Sequence, residues 1–294
     1  MLKHADTAVT PDRVVILGAG GFIGKKLIES LEKNNINYLA ITRNEMDLAS
    51  DDAVFALQKI LKTSDTMVIL AAITPDRDKG TSAFIKNCEI GNVIQEALKT
   101  NPVSHAVYFS SDAVYSLNNS LVDEDTPANP DDLYGLMHRA RELMMQATGI
   151  PLAILRPTII FGDGDTHNSY GPNRFIREAL KKNTITLFGN GEEKRSHVFI
   201  DDVIASVIQV ILRGSIGIVN LCTNSSISFM EIAKVIQTKI QKKTNIIATE
   251  RRNEITHRHF NLVGFLADFP CVPITPLDVA IEKWIEKTEN YAAN

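Results

Sequence analysis

The chain has 294 residues, 44% of them hydrophobic and 22% charged, which excludes a disordered chain, a collagen-like repeat or a disulfide miniprotein and suggests about two domains, or one large α/β domain with an appended lobe. Its 31 basic and 35 acidic residues leave a net charge of −4, so no global electrostatic footprint for nucleic acid or an anionic membrane exists and any phosphate must be gripped locally. Three widely spaced cysteines, Cys88, Cys222 and Cys271, offer neither a zinc pattern nor a full disulfide framework and read as apolar residues of a reducing compartment.

From the start, residues 1–13 are polar and lack the apolar core of a signal peptide, and the longest apolar-rich stretch, 203–212, is too short to span a bilayer. A cytoplasmic protein with no membrane partner is expected. Short apolar runs then follow at 14–17, 38–41, 67–72, 103–109 and 152–155, separated by stretches with helical apolar spacing at 24–32, 52–61, 84–98 and 133–147. That alternation predicts repeated βαβ units: a Rossmann-type, doubly wound parallel sheet that binds its ligand at the carboxyl ends of the strands. Beyond Arg156 the pattern loosens into a loop at 162–171 and helices at 174–181, 201–212 and 229–239. The division expected is a dinucleotide-binding domain over 1–165 and a smaller substrate-binding lobe over 166–294, the two interleaved across a cleft.

The strongest local signal is Gly18-Ala19-Gly20-Gly21-Phe22-Ile23-Gly24, directly after the first apolar run and directly before an amphipathic helix. Glycines suit that place because the turn needs permissive φ/ψ and because a pyrophosphate must approach backbone N–H groups at the positive end of the helix. In a strand–turn–helix context this predicts dinucleotide binding.

The GxxGxxG spacing resembles that of the extended short-chain dehydrogenase/reductase family, the NAD-dependent epimerase/dehydratases that act on nucleotide-linked sugars. Further matches follow in order: Ser110-Ser111-Asp112-Ala113-Val114-Tyr115, Tyr134-Gly135-Leu136-Met137-His138, Arg156-Pro157, and Arg195-Ser196-His197-Val198-Phe199-Ile200-Asp201-Asp202. The resemblance implies hydride transfer between a nicotinamide and a sugar carbon, with Tyr134 as acid/base and Ser111 hydrogen-bonding the reacting oxygen. It also implies a lysine four residues after the tyrosine, which lowers the tyrosine pKa and holds the nicotinamide ribose. Here His138 stands in that place. Residues i and i+4 share a helix face, so the imidazole lies near Tyr134, either as a ribose ligand or proton relay or as the mark of a weakened redox step. Arg139 and Arg141 are expected on other faces.

Cofactor choice is read at the end of the second strand, where Ile41-Thr42-Arg43-Asn44 carries no acid to bind the ribose hydroxyls of NAD. Arg43 would instead favour the 2′-phosphate of NADP through charge-assisted hydrogen bonds, with NAD possible. By the resemblance, Thr42, Asp47 and Leu48 would flank the adenosine, and Ala71 and Ala72 would line the cofactor on the next strand. Asp112 could protonate a leaving hydroxyl as in sugar-nucleotide dehydratases, although Ala113 stands where those enzymes carry glutamate. Asn173, Arg174 and Arg195, with Arg251 or Arg252 as a third grip, are expected on the nucleotide diphosphate. His257 and His259 are too isolated for a metal site. The expected protein is an NAD(P)-dependent epimerase or reductase of a nucleotide-activated sugar, working as a homodimer; the rival expectations are a dehydratase and a non-catalytic dinucleotide-binding protein.

Overall fold

A computed structural model describes residues 1–294 except 166, 167, 169, 224, 252, 253 and 294, and omits the side chains of 289–293. Seven strands form the central sheet in the order Leu2–Lys3, Ile216–Leu221, Leu152–Pro157, His105–Phe109, Thr66–Ile69, Val14–Leu17, Tyr38–Ile41. All pairs are parallel except the edge strand Leu2–Lys3, which runs antiparallel to Ile216–Leu221. The chain goes from Val14–Leu17 outward to Tyr38–Ile41, then returns to the other side at Thr66–Ile69. That reversal puts a topological switch point at the carboxyl ends of Val14–Leu17 and Thr66–Ile69, the place where open α/β sheets take their ligands.

Alternation along the strands explains the two-faced core. Val14, Ile16, Val68, Val107 and Ala153 face one hydrophobic cluster, with Leu27 and Leu31 of helix Phe22–Lys33 and Val203 and Val207 of helix Ile200–Leu212. Val15, Leu17, Met67, Tyr108 and Ile154 face the other, with Leu57, Ile94 and Met145 from helices Ala53–Ile60, Thr81–Thr100 and Leu133–Gln146. Each fully buried leucine here is worth about 1.5–3 kcal/mol of apolar burial. The expected strand over 67–72 ends at Ile69 instead. Beyond it the backbone leaves the sheet, and the buried Asn87 carboxamide holds Ile73 by accepting from its N–H at 2.8 Å and donating to its carbonyl at 2.9 Å.

The remaining strands form a three-stranded sheet (Ser226–Ser228, Lys194–Phe199, Ile159–Phe161) and two parallel pairs, Asn245–Thr249 with Thr184–Phe188 and His259–Phe260 with Leu121–Val122. Residues beyond 166 also return to the large sheet, since strand Ile216–Leu221 pairs with Leu152–Pro157 and helix Ile200–Leu212 packs on Phe22–Lys33. Among the described residues no helix is long and apolar enough to cross a membrane.

Candidate active site

At the switch point, Gly18 has φ of +90°, and a Cβ there would lie 2.8 Å from Ala71 N. A Cβ on Gly24 would meet Ala19 O at 2.7 Å, so these two glycines let the strand, the turn and the helix close on one another. Gly20 and Gly21 differ: their nearest neighbours would be Thr42 Cγ2 at 3.5 Å and Gly18 O at 3.4 Å. A Cβ at either would make about ordinary van der Waals contact only, so neither position is closed by the backbone as Gly18 and Gly24 are. Gly21 caps helix Phe22–Lys33 without a side-chain hydrogen bond, and no acid occupies the first turn. Its free N–H groups and the positive helix end fit a pyrophosphate. Phe22 is buried and Ile23 half-buried against the core, so their backbone rather than their side chains faces the turn.

The adenosine end holds a correction. The segment Ile41-Thr42-Arg43-Asn44 carries no acid, yet Glu45 folds back onto the end of strand Tyr38–Ile41 and accepts from Thr42 N–H at 2.7 Å. The exposed Arg43 guanidinium reaches Asp47 at 3.4 Å, and Asp47 also accepts from Ala49 N–H. Leu48 is buried in the core beside Ile41 and Leu57; Ala71 and Ala72 are half-exposed, with Ala71 backbone against Gly18.

Ser111 ends the extended segment after His105–Phe109, and its Oγ accepts from Ala113 N–H at 3.2 Å to start a single 3₁₀ turn over Asp112–Val114. Tyr134 stands in the first turn of helix Leu133–Gln146, which Asp132 caps by accepting from Gly135 N–H at 2.8 Å. A Cβ on Gly135 would overlap Ala113 O, so glycine allows the helix to press against the Ser111 turn and bring serine and tyrosine together. Burial raises the Tyr134 pKa, with Tyr108 and Asp112 adding to the rise and the Ser111 hydroxyl opposing it.

His138 does not supply the expected cation. It is 3% exposed, and burial first, then the neighbouring Arg141 charge, depress its pKa to about 3, so the imidazole is neutral at pH 7. Its ring meets Tyr134 edge-on, with centroids 4.7 Å apart. Nδ1 lies 2.9 Å from Tyr108 Oη, and Nε2 has no partner among the described residues. A second correction concerns Arg141. Seven residues after Tyr134 is two helical turns, so it shares the stripe of Tyr134 and His138 rather than lying on another face. It is 1% exposed, with its guanidinium 5.3 Å from the Tyr108 ring centroid.

On the substrate side, Asp112 is paired with Arg258, whose Nη1 donates to Asp112 O at 2.9 Å and lies 3.3 Å from Oδ2, while Nη2 donates to Tyr115 O at 2.9 Å. Burial raises the Asp112 pKa, and Arg258 and Arg195 oppose the rise. Arg195 is anchored by Thr256 O and Oγ1. Arg174 pairs with Glu178 at 3.0 Å over the Tyr170 and Phe188 rings. Asn173 is buried, and its carboxamide accepts from Gly162 N–H at 3.1 Å and reaches Ile160 O, so it fixes the loop after Ile159–Phe161. Arg251 is committed to Phe188 O and Glu192, and Arg252 lies outside the described residues.

The sequence model of the NAD dependent epimerase/dehydratase family matches residues 14–222. The chain belongs to that family. Among its relatives, an N-acetyl-α-D-glucosaminyl-diphospho-ditrans,octacis-undecaprenol 4-epimerase of Escherichia coli O157:H7 is 24% identical over 250 residues, covering 79% of this chain and 73% of the relative. A dTDP-D-glucose 4,6-dehydratase of Dictyostelium discoideum is 25% identical over 270 residues, 76% of this chain but only 61% of the relative. Among solved structures, MoeE5 in complex with UDP-glucose and NAD matches with a TM-score of 0.84 at 21% identity over 96% of this chain and 99% of its own. Solved neighbours of this fold carry NAD or NADP. Where the resemblance implies Tyr-x-x-x-Lys this chain has His138, and the fold buries it. Arg258, which grips the Ser111 turn from 146 positions beyond Asp112, escapes sequence reasoning because no local pattern links the two. Arg141 is readable from helical arithmetic alone.

Proposed function

We propose that the protein is an NADP(H)-preferring epimerase or reductase of a nucleotide-activated sugar, with Tyr134 as the proton-transfer residue. The observation that carries this reading is the juxtaposition, along one sheet edge, of an uncapped glycine-lined helix start, the Ser111–Tyr134 pair, and Asp112 with the cations Arg258 and Arg195 behind it. A bound nicotinamide would supply or accept the hydride. The chain's own residues do the rest: Gly20, Gly21 and the helix N–H groups hold the pyrophosphate, Ser111 orients the reacting oxygen, and Tyr134 Oη carries the proton. Because its pKa is raised, Tyr134 is protonated at neutral pH and serves first as a donor, which suits reduction of a ketone better than abstraction from an alcohol. Arg195 and Arg174 offer guanidinium groups to a diphosphate. Exposed Leu133, Leu136 and Leu143 form one apolar stripe of helix Leu133–Gln146, which supports association into a homodimer through that helix.

A second reading, dehydration, draws on Asp112, whose raised pKa fits a proton donor to a leaving hydroxyl. One experiment separates these. UDP-, GDP-, dTDP- and CDP-sugars are paired with each cofactor in thermal-shift and turnover assays, with products read by mass spectrometry. Reduction or epimerisation abolished by Tyr134→Phe supports the first reading, and loss of water abolished by Asp112→Asn supports the second. Cofactor binding with no turnover on any sugar nucleotide would make the chain a dinucleotide-binding protein only.

A further inference from the structure

The turn after Ser111 carries a charge pair whose members lie far apart in the chain, Asp112 and Arg258. Arg258 precedes strand His259–Phe260, and its own backbone N–H donates to Lys194 O at 3.1 Å. Its guanidinium is committed to the protein: Nη1 serves Asp112 O and Oδ2, Nη2 serves Tyr115 O, and Nε is buried without a partner among the described residues. The carboxylate is the more open member, its side chain 20% exposed against 5% for the arginine. Arg195, the other cation bearing on Asp112, is anchored on Thr256 and Glu193. Asp112 stands close enough to the reaction centre to act on Tyr134, and the Ser111 hydroxyl acts on both the carboxyl and the phenol. Two further charged residues line the space at Tyr134, Asp78 and Lys79, and they are of opposite sign. A ligand group reaching the Ser111 turn therefore meets an anion whose cation is already taken.

We propose that the Asp112–Arg258 pair sets the class of sugar: it takes a neutral sugar, whose hydroxyl donates to the Asp112 carboxylate, and turns away a hexuronate, whose own carboxylate would face it. Asp112 is the specificity-determining residue. Arg258 is a positioning residue, which holds the carbonyls of Asp112 and Tyr115 and so the turn that presents the carboxylate. The inference rests on the reading of Ser111 and Tyr134 as the reaction centre of a sugar-nucleotide enzyme. With the reacting oxygen on Ser111, the substituents of the adjoining sugar carbons come within reach of the next residue of the turn. A hydroxyl there makes a charge-assisted hydrogen bond. A carboxylate there has no proton to donate, gives up its water and sets two like charges together in a partly buried site, so selection works by rejection as well as by attraction. Burial raises the Asp112 pKa, and Arg258 is the first influence opposing that rise, ahead of Arg195 and Ser111. The rejection is therefore present at high pH and fades as pH falls through the Asp112 pKa, while a hexuronate stays ionised. The titratable and charged groups facing the carboxyl are Arg258, Arg195 of strand Lys194–Phe199, Tyr134 of helix Leu133–Gln146 and Cys222 after strand Ile216–Leu221. Burial pushes Tyr134 and Cys222 up, so both stay neutral from pH 5 to 8.

Calorimetry on the cofactor-loaded protein decides this by comparing a hexose with the hexuronate on the same nucleotide, first UDP-glucose with UDP-glucuronate, then GDP-mannose with GDP-mannuronate. At pH 8 the hexose should bind about tenfold or more tightly, and the ratio should fall toward one at pH 5. Asp112→Asn should bring the ratio near one at both pH values. Arg258→Gln, which removes the charge opposing the rise of the Asp112 pKa, should move the pH at which the ratio climbs upward by about one unit. A merely structural loss would weaken both ligands and leave the ratio and its pH dependence alone, and that result would strike Arg258 from the proposal. The wild-type ratio needs no variant to fold: a hexuronate bound as tightly as the hexose at pH 8, or a ratio indifferent to pH, overturns the proposal and leaves the enzymatic reading standing. A folded Asp112→Asn that keeps the wild-type ratio overturns it equally. If neither these pairs nor any other sugar nucleotide binds, the reading of the site fails and the proposal falls with it.

Discussion

The two ends of the cleft are built by different physics. At the dinucleotide end, the turn between Leu17 and Phe22 is shaped chiefly by close backbone approach, Gly18 against Ala71 and Gly24 against Ala19. At the tyrosine end, helix Leu133–Gln146 is fixed by a buried polar network drawn from distant segments. Glu142 accepts from Arg156 Nε at 2.8 Å and Nη2 at 2.7 Å and from Ser110 Oγ, while Arg156 Nη1 reaches Tyr115 Oη and that hydroxyl donates to Asn220. A cradle needs shape, which glycine supplies locally; a proton-transfer site needs charges held out of water, which takes partners from several strands.

If that contrast holds, charge removal should hurt the tyrosine end most. Glu142→Gln keeps the shape but leaves Arg156 buried without a counter-charge, and denaturant unfolding should show a loss of about 3–5 kcal/mol. A loss under about 1 kcal/mol would mean that the network is solvated and the contrast misplaced. Acid should find the same end weak. The folded-state pKa of His138, about 3, lies below the unfolded value near 6.5, so the unfolded chain takes up the proton first. The associated stability is complete above about pH 6.5 and is lost as pH falls toward 3, at up to about 1.4 kcal/mol per pH unit. His197, also depressed to about 3 by burial, adds a like slope from the smaller sheet. His138→Gln should flatten the stability profile between pH 6 and 4 by one proton, and an unchanged slope would place the imidazole in water.

The cradle should answer to shape instead, and its glycines should divide into two classes. Gly18→Val forces a β-branched residue to positive φ against Ala71 and should destabilise the chain by about 2–4 kcal/mol. Gly21→Val, whose Cβ would meet only Gly18 O, at 3.4 Å, should cost far less stability while calorimetry shows dinucleotide affinity reduced about tenfold or more, the scale of one lost charge-assisted contact. Equal destabilisation by both variants would erase the distinction.

Much of the fold is legible because its signals are local. The strands Val14–Leu17 and Tyr38–Ile41 and the helix Phe229–Lys239 lie where periodicity puts them. Strands Thr184–Phe188 and Lys194–Phe199 are not legible, because their pairing partners lie tens of residues away, the first is only five residues long and the second opens on two charged residues. At the site, the glycines, Ser111 and Tyr134 are readable as a motif. The protonation state of His138 is not, since it depends on burial in the folded chain and then on the Arg141 charge. The placement of Asn173 is not legible either, because an amide ahead of a helix reads alike whether it faces a ligand or a buried loop.

The smallest expected effect lies at the adenosine end, where the cradle meets solvent and the two kinds of physics meet. Arg43 favours a 2′-phosphate, but Glu45, seated on Thr42 N–H, and Asp47, 3.4 Å from the guanidinium, oppose it. Exposed pairs contribute at most about 0.5–1 kcal/mol, because water screens them. The proposed NADP preference is therefore the difference between one cation and two anions, and each should move it modestly. Arg43→Ala should reduce NADP affinity about three- to tenfold with NAD affinity unchanged, whereas Glu45→Gln should raise the NADP-to-NAD ratio by a similar factor and weaken NAD if its carboxylate binds the ribose. Both shifts should shrink in high salt, as a surface interaction must. A ratio that ignores Arg43 but responds to Glu45 would make the carboxylate the selector and the protein an NAD enzyme.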